Sequence, residues 1–150
     1  AYFLYTVSVF DASLARRNTN PKKVYCVDHA LVRSVSSGIL VNSGHLLENL
    51  VFVALRRNHP ELYYFKTRGG REVDFVVPGR GRPQALVQAC ETLADPETRK
   101  REVAALEAAM EETGLREATI VTRHESESLR VGAGAIEVVP AWRFLLDQPG

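Results

Sequence analysis

The spacing of apolar residues predicts two strands near the start of the chain. Residues 2–10 are aromatic and β-branched, which favours a strand, and the run from Lys23 to Asp28 alternates between two faces. The segment between them is predicted to be a loop, because Asn18, Asn20 and Pro21 interrupt any periodic pattern there. This loop carries a group of basic residues, namely Arg16, Arg17, Lys22 and Lys23.

A helix and then a β-hairpin are predicted next. After a Ser- and Gly-rich connection at residues 34–38, the apolar pattern predicts a helix over residues 44–58, ahead of Pro60. Residues 62–67 and 72–77 are predicted as strands, and the paired glycines at 69 and 70 are typical of a hairpin turn. Strict alternation would put Val73, Phe75 and Val77 on one face of the second strand, opposite Glu72, Asp74 and Val76.

The second half of the chain predicts a βαβ unit. A third strand at residues 85–90 leads to a helix with Asp95 as its N-cap, Pro96 in its first turn and Gly114 at its end. A fourth strand at residues 118–122 is then expected to lie parallel to the third. A short strand at 136–139 and a helical turn at 142–146 complete an α/β domain with a mixed central sheet.

Glu48 is a polar residue on the apolar side of the first predicted helix. It lies three residues before Val51 and seven before Leu55, so it is expected on or beside the buried face. A buried carboxylate is costly unless it is paired, hydrogen-bonded or bound to a metal. The ordinary alternative is a surface ion pair with Arg56 or Arg57.

Two further polar residues fall inside predicted strands. Asp74 is in the middle of the second hairpin strand, against β-propensity, and is expected to be partly buried because Val76 lies beside it on the same face. A solvated outer face is the alternative. Gln88 lies in an uncharged strand that should be buried on both faces, with Leu86 and Cys90 on its own side. Its amide therefore needs a hydrogen-bond partner.

Composition and charge limit the classes of function. The 150 residues are 45% hydrophobic and carry 19 Lys and Arg against 18 Asp and Glu, so any nucleic-acid binding needs a local basic patch. No apolar run approaches the roughly 20 residues that span a membrane, and two cysteines are too few for a disulfide framework. We therefore expect a cytoplasmic protein, and the start at Ala1 with Met110 as the single methionine predicts a fragment that lacks an N-terminal region.

The combination of a helix Glu, a hairpin Asp and a polar strand resembles the PD-(D/E)xK nuclease superfamily. More narrowly, the chain resembles the C-terminal domain of unknown function of many bacterial and archaeal AAA-type ATPases. The stretches that carry this resemblance are residues 21–28 (PKKVYCVD), 47–52 (LENLVF), 70–76 (GREVDFV), 87–101 and 139–142 (VPAW). The resemblance implies a restriction-endonuclease-like core and a site that holds Mg²⁺ for phosphodiester hydrolysis.

Carried over residue by residue, the resemblance assigns Glu48 and Asp74 as metal ligands. Gln88 takes the first acidic position of the third strand, where it offers a weaker, neutral oxygen. Cys90 falls where the superfamily has its lysine, and a thiol does not replace a permanent cation. Lys66, on the neighbouring hairpin strand, is the candidate for a migrated catalytic lysine, or else it faces water.

Three functions remain open at this point. The favoured hypothesis is a nuclease-like domain with a degenerate site that binds nucleic acid through Arg56, Arg57, Arg68 and Arg71. The alternatives are an active Mg²⁺-dependent DNA nuclease, and a protein-interaction or regulatory module for the missing ATPase region. Gly132-Ala133-Gly134 lacks the Lys-Ser/Thr of a phosphate-binding loop, so this fragment is not expected to bind ATP. Residues 1–43 are expected to be a lead-in segment or the end of a preceding domain, and residues 44–150 the nuclease-like domain.

Overall fold

The computed structural model describes residues 4–27 and 43–148. Some sequence predictions lie outside the described residues: the first two residues of strand 2–10, Asp28 at the end of the second strand, and the connection at 34–38. No helix of the described part is long and apolar enough to cross a membrane.

Eight strands and four helices lie in the described part of the chain. The first three elements are β1 (Leu4–Val7), α1 (Leu14–Thr19) and β2 (Lys23–Cys26). The middle of the chain forms α2 (Ser43–Asn58), β3 (Tyr63–Lys66), β4 (Glu72–Pro78) and β5 (Pro83–Ala89). The last five elements are α3 (Pro96–Thr113), β6 (Glu117–Thr122), β7 (Glu127–Val131), β8 (Gly134–Pro140) and α4 (Ala141–Leu146).

The predicted mixed α/β sheet is confirmed. Six strands lie in the order β3-β4-β5-β6-β8-β7, and β5 and β6 are parallel neighbours, as the βαβ prediction requires. The helix between them has the predicted ends: the Asp95 side chain accepts from the Thr98 N–H, and Gly114 has φ 75°. Since β5 lies between β4 and β6, Leu86 and Val87 are buried on opposite faces.

The sheet has a separate hydrophobic cluster on each face. On one side, α2, α4 and β2 cover Phe75, Val77 and Val87. On the other, α3 covers Val73, Val76 and Leu86. The prediction that Val73 shares a face with Phe75 and Val77 is therefore wrong.

A β-bulge in β4 is the reason for this change of face. From Val73 to Val76, β4 advances three residues, while its partner β3 advances two, from Phe65 to Tyr63. The extra residue reverses the alternation and increases the local twist of the strand. Asp74 lies within this bulge. The direction of its side chain therefore depends on an irregularity of the strand that the sequence pattern did not indicate.

The described part of the lead-in segment packs on the same core. Val7, Val9 and Tyr25 are buried with α2, and residues 8–10 run along the edge strand β3, where the Phe10 N–H donates to the Tyr64 carbonyl across 2.8 Å. The predicted loop at 18–21 is partly wrong, because residues 14–19 form α1, with the Ser13 hydroxyl as N-cap. The sequence also gave no sign of β7, whose residues are mostly polar and pair with β8 at the other edge.

Candidate functional site

Asp74 lies at the centre of a polar cluster between β2, β4, β5 and α2. Its side chain is only 12% exposed, and both of its carboxylate oxygens accept hydrogen bonds. Lys23 Nζ donates to Oδ1 across 2.9 Å, and the backbone N–H of Ala89 donates to Oδ2 across 3.0 Å. The prediction that Asp74 is buried is therefore confirmed, and the solvated alternative is wrong.

Gln88 takes the place of a backbone partner at the same point of the sheet. Its Oε1 accepts from the Asp74 N–H across 2.9 Å, and its Nε2 donates to Glu102 Oε2 across 2.5 Å. The backbone pairing of β4 with β5 starts with Phe75 opposite Val87 and continues toward the β4–β5 turn. On the other side of this pair, the side chains of Asp74 and Gln88 replace the backbone hydrogen bonds. A neutral amide fits here because it accepts on one side and donates on the other.

Glu102 connects this arrangement to α3. It is buried on the inner face of the helix and binds Gln88 with one carboxylate oxygen. The other oxygen accepts from the guanidinium of Arg101, at 2.8 and 3.0 Å. Gln88 therefore has the partners that its burial required, one from each neighbouring element.

Glu48 lies on the first half of α2, at the other side of the cluster. Its side chain is 19% exposed, and its Oε1 accepts from the Tyr25 hydroxyl across 2.6 Å and from Lys23 Nζ across 3.3 Å. The alternative in which Glu48 pairs with Arg56 or Arg57 is therefore wrong. Both partners come from β2, which the sequence prediction had placed outside the domain.

Lys23 is the cation that joins the two carboxylates. It alternates with the buried Tyr25 on β2, so both side chains point toward α2 and β4. Burial alone would lower the pKa of Lys23, but the charges of Asp74 and Glu48 outweigh it and raise the pKa above its usual value. Lys23 therefore stays protonated across the physiological range.

For the Asp74 carboxyl, burial outweighs the effect of the neighbouring opposite charge on the pKa. Its pKa is raised to about 6, first because burial disfavours the ionised form and second because Glu48 repels its charge. The Lys23 ammonium and the Ala89 N–H oppose this shift without cancelling it. Burial, together with the charge of Glu48, also raises the pKa of the Tyr25 hydroxyl, which therefore remains a donor. The cluster holds two carboxylates against one ammonium.

A crevice of about 430 Å³ opens beside this cluster, at the carboxyl ends of the parallel strands. Its carboxylates are Glu48, Asp74, Glu91, Asp95 and Glu102, against Arg101 and His45 as the basic side chains of the lining. Cys90 is half-buried in its wall, and its thiol donates to the Thr92 carbonyl across 3.2 Å. Burial, with the nearby charge of Glu102, raises the pKa of this thiol, so it remains neutral and does not replace a lysine.

The remaining predicted site residues lie away from the cluster. Lys66 is exposed at the end of β3, and it is Lys23 that contacts Asp74 and Glu48. Arg68 and Arg71 lie in the β3–β4 turn, where the Arg68 N–H donates to Glu112 across 2.9 Å. Arg56 and Arg57 lie in the last turns of α2, and the Arg56 guanidinium lies 5.2 Å from the Tyr5 ring centre.

The four predicted DNA-binding arginines therefore form two separate pairs. The first half of α2 lies near the start of β4, because Lys23 contacts both Glu48 and Asp74. The C-terminal end of α2 lies near the end of β4, because one cavity there is lined by His59, Pro60, Val77 and Pro78. Arg56 and Arg57 thus lie near one end of β4, and the turn that contains Arg68 and Arg71 lies at the other.

The cluster does not fit a divalent metal ion in this arrangement. Two carboxylates suit Mg²⁺, but Lys23 contacts both of them and the Gln88 oxygen is already hydrogen-bonded to Asp74. Within residues 4–27 and 43–148, no three His, Cys, Asp or Glu side chains are grouped to hold a metal. The arrangement can hold a proton or exchange one, chiefly at Asp74.

Comparison with known proteins identifies a family without an assigned activity. The family model DUF4143, a domain of unknown function, matches residues 43–144, from the start of α2 into α4. The uncharacterized protein MJ1544 of Methanocaldococcus jannaschii is 30% identical, over 97% of this chain and 34% of that protein. The chain thus spans about a third of the length of this relative. No solved structure matches the chain significantly.

Proposed function

The chain belongs to DUF4143, a family of domains of unknown function, and we propose that it acts as a nuclease-like domain that binds nucleic acid without hydrolysing it. The observation that carries this proposal is the position of Lys23, between the carboxylates of Asp74 and Glu48. The nuclease-like hypothesis is supported by the positions of Glu48, Asp74 and Gln88, which lie close together on a helix, a hairpin strand and a central strand. This is the arrangement that the sequence resemblance implies.

We expect no hydrolysis, because the polar groups that could hold a metal ion are already hydrogen-bonded to one another. A phosphodiesterase of this kind needs carboxylate oxygens open to a metal that activates water. Here the Lys23 ammonium neutralises one of the two charges and contacts both carboxylates, and Gln88 supplies no charge. Without a metal, the acidic crevice repels a phosphate group, so we expect the crevice itself to stay clear of the nucleic-acid backbone.

Binding is supported by arginines outside the crevice. Arg57, Arg68, Arg71, Arg80 and Arg82 are all exposed, and none of them forms an ion pair within the described residues. Arginine offers five N–H donors in a planar group that matches phosphate oxygens. Because the net charge of the chain is only +1, such binding depends on where these arginines cluster.

The proposal is tested with two measurements on the same preparation. Fluorescence anisotropy of labelled single-stranded and duplex DNA should show binding that weakens steeply as salt rises from 50 to 200 mM, by roughly tenfold for every few phosphate contacts. Incubation of the same DNA with Mg²⁺ or Mn²⁺ should leave it intact. Absence of binding at low salt would contradict the proposal, and so would metal-dependent cleavage.

A metal-dependent DNA nuclease remains the second candidate, and the position of Lys23 also favours it. A lysine beside two carboxylates is what an active site with a migrated lysine requires, and Lys23 meets that condition where Lys66 does not. Cleavage that is lost on both Lys23→Met and Asp74→Asn would establish this alternative. Cleavage that survives both substitutions would indicate a contaminating nuclease.

The proposed context of the domain is a longer protein with an ATPase region. The sequence resemblance to the C-terminal domains of AAA-type ATPases supports this proposal, and the relative from M. jannaschii is about three times as long as the matched region. A module that only contacts such a region, without nucleic acid, is the remaining alternative. It predicts no DNA binding at any salt concentration.

A further inference from the structure

The β4–β5 turn presents two arginines at the end of the sheet away from the acidic crevice. It has the sequence Pro78-Gly79-Arg80-Gly81-Arg82-Pro83, and we refer to residues 78–83 as the arginine turn. Both arginine side chains are exposed, and neither forms an ion pair with a described residue. In the sequence they follow, in the next loop, the four arginines that were predicted to bind nucleic acid.

The arginine turn is held in a tight conformation. The Gly79 N–H donates to the Arg82 carbonyl across 2.9 Å, and Gly81 has φ 75°, which favours glycine. A Cβ at Gly79 would lie 3.0 Å from the Arg82 carbonyl oxygen, so the close approach of the two strands favours glycine there. The two guanidinium groups therefore extend from a short, closed loop, which limits the backbone entropy lost when they bind a ligand.

No carboxylate lines the cavity beside the arginine turn. The chain has no Asp or Glu from Phe75 to Cys90. A cavity of about 240 Å³ beside the turn is lined by Arg80, Arg82 and Leu115 together with the uncharged Gly79, Pro83 and Gln84. The exposed Arg116 follows Leu115, and its carbonyl accepts from the Ala135 N–H at 2.9 Å, which fixes the backbone there. The carboxylates on the elements around this end are the exposed Glu61, Glu111, Glu112 and Glu117.

The crevice has the opposite character. There, Arg101 is paired with Glu102 at 2.8 Å, and Glu91 of the lining is paired with Arg123 at 2.5 Å. Arg99, on the same helix as Arg101, is paired with Glu127 at 2.6 Å. The chain is almost neutral overall, but the exposed Arg80 and Arg82 of the arginine turn and the carboxylates of the crevice lie at opposite ends of β5.

From this segregation of charge we propose that the arginine turn, with Arg80, Arg82 and Arg116, is the surface that binds the phosphate backbone of DNA. A narrow β-hairpin tip with two arginines fits a DNA groove and reaches the phosphates on either side of it. Arg82 and Gln88 are six residues apart along an extended strand, about 20 Å, so DNA held at the turn does not reach the polar cluster. This inference rests on the proposed function, and it explains binding without hydrolysis.

The test uses two matched double substitutions in the chain. The β3–β4 turn, Arg68-Gly69-Gly70-Arg71, also has two arginines and two glycines. Carboxylates lie next to this turn, because Glu112 accepts from the backbone N–H of Arg68 and Glu72 directly follows Arg71. Arg80→Gln with Arg82→Gln is therefore compared with Arg68→Gln with Arg71→Gln. Anisotropy of a labelled DNA duplex is measured for both variants and the unsubstituted chain from 50 to 300 mM salt, and circular dichroism checks that each variant is folded.

The expected result is that the first variant loses much more affinity than the second. The affinity of the first variant should fall on the order of tenfold to a hundredfold at 100 mM salt, and the slope of log K against log salt should decrease by about 2, because each phosphate contact contributes about 0.9. Equal losses in both variants, or a loss only in the β3–β4 turn variant, would overturn the inference while leaving DNA binding in place. No binding by the unsubstituted chain would overturn the proposed function and the inference with it.

Discussion

Lys23 of β2 donates to Asp74 of β4 across 2.9 Å, joining residues that are 51 positions apart. The same ammonium lies 3.3 Å from Glu48 of α2. One lysine of β2 thus connects the lead-in segment, the first long helix and the bulged strand of the central sheet. The cluster ties together elements that the sequence alone had divided between two segments.

Removal of Lys23 should destabilise the fold more than removal of its neighbour. Lys23→Met leaves two carboxylates facing each other without a cation, and we expect a loss of about 2 kcal/mol, since hydrogen bonds to charged groups contribute roughly 1.5–3 kcal/mol. Lys22→Met is the matched control, because Lys22 is exposed on the same segment, and it should change stability by less than about 0.5 kcal/mol. Urea denaturation at pH 7 measures both. Equal effects would contradict the role assigned to Lys23.

We predict that Glu102 requires an amide at position 88, and that a side chain of the same size without the N–H donor is not sufficient. Gln88→Glu places a carboxylate 2.5 Å from another one, so the folded state should lose about 2 kcal/mol or more at pH 7. Combining Gln88→Glu with Glu102→Gln restores one donor and one acceptor across the same contact. The double substitution should therefore recover most of the loss in thermal denaturation, and additive losses would show that the two side chains are independent.

The stability of the chain should depend on pH through Asp74. Its folded-state pKa is about 6, above the usual value of 3.8, so between these values the folded state binds more protons than the unfolded state. The protonated form of Asp74 therefore stabilises the folded state below about pH 4. This contribution to the free energy of unfolding is lost as the pH rises to about 6, by at most about 1.4 kcal/mol per pH unit. Asp74→Asn lacks this component, so its stability relative to the unsubstituted chain should improve from pH 4 to pH 7. A difference that is constant or decreases over this range would contradict the assignment.

Gly134 is required by a close approach of two backbones at the start of β8. A Cβ there would collide with the Arg116 carbonyl oxygen, and the φ of 156° is unfavourable for other residues. Gly134→Ala should cost about 3 kcal/mol or more in thermal denaturation. Gly132→Ala is the control, because its Cβ would meet only the flexible end of Glu107, at 3.0 Å, and the effect should be much smaller.

The sequence contained enough information to bring Glu48, Asp74 and Gln88 together. Each of them interrupts an apolar pattern on a well-marked element, and a polar residue in such a place needs a partner. The bulge at Asp74 was not predictable, because it arises from the pairing of β4 with β3 and leaves no mark in the alternation of β4 itself. The face expected for Val73 was wrong for the same reason.

Lys23 was missed although the sequence held one signal for it. It alternates with Tyr25 on β2, so a prediction that buried Tyr25 would have placed Lys23 on the same side. Its partners lie 25 and 51 residues away, and no local pattern specifies such distant contacts. Lys66 was the nearer choice along the chain, but the structure exposes it at the end of β3.

A calorimetric titration of Mn²⁺ into the chain tests whether Lys23 occupies the position that a metal ion would take between Asp74 and Glu48. We expect no saturable binding at this cluster up to millimolar Mn²⁺, either in the unsubstituted chain or in Asp74→Asn. Saturable binding to the unsubstituted chain that disappears in Asp74→Asn would contradict this expectation.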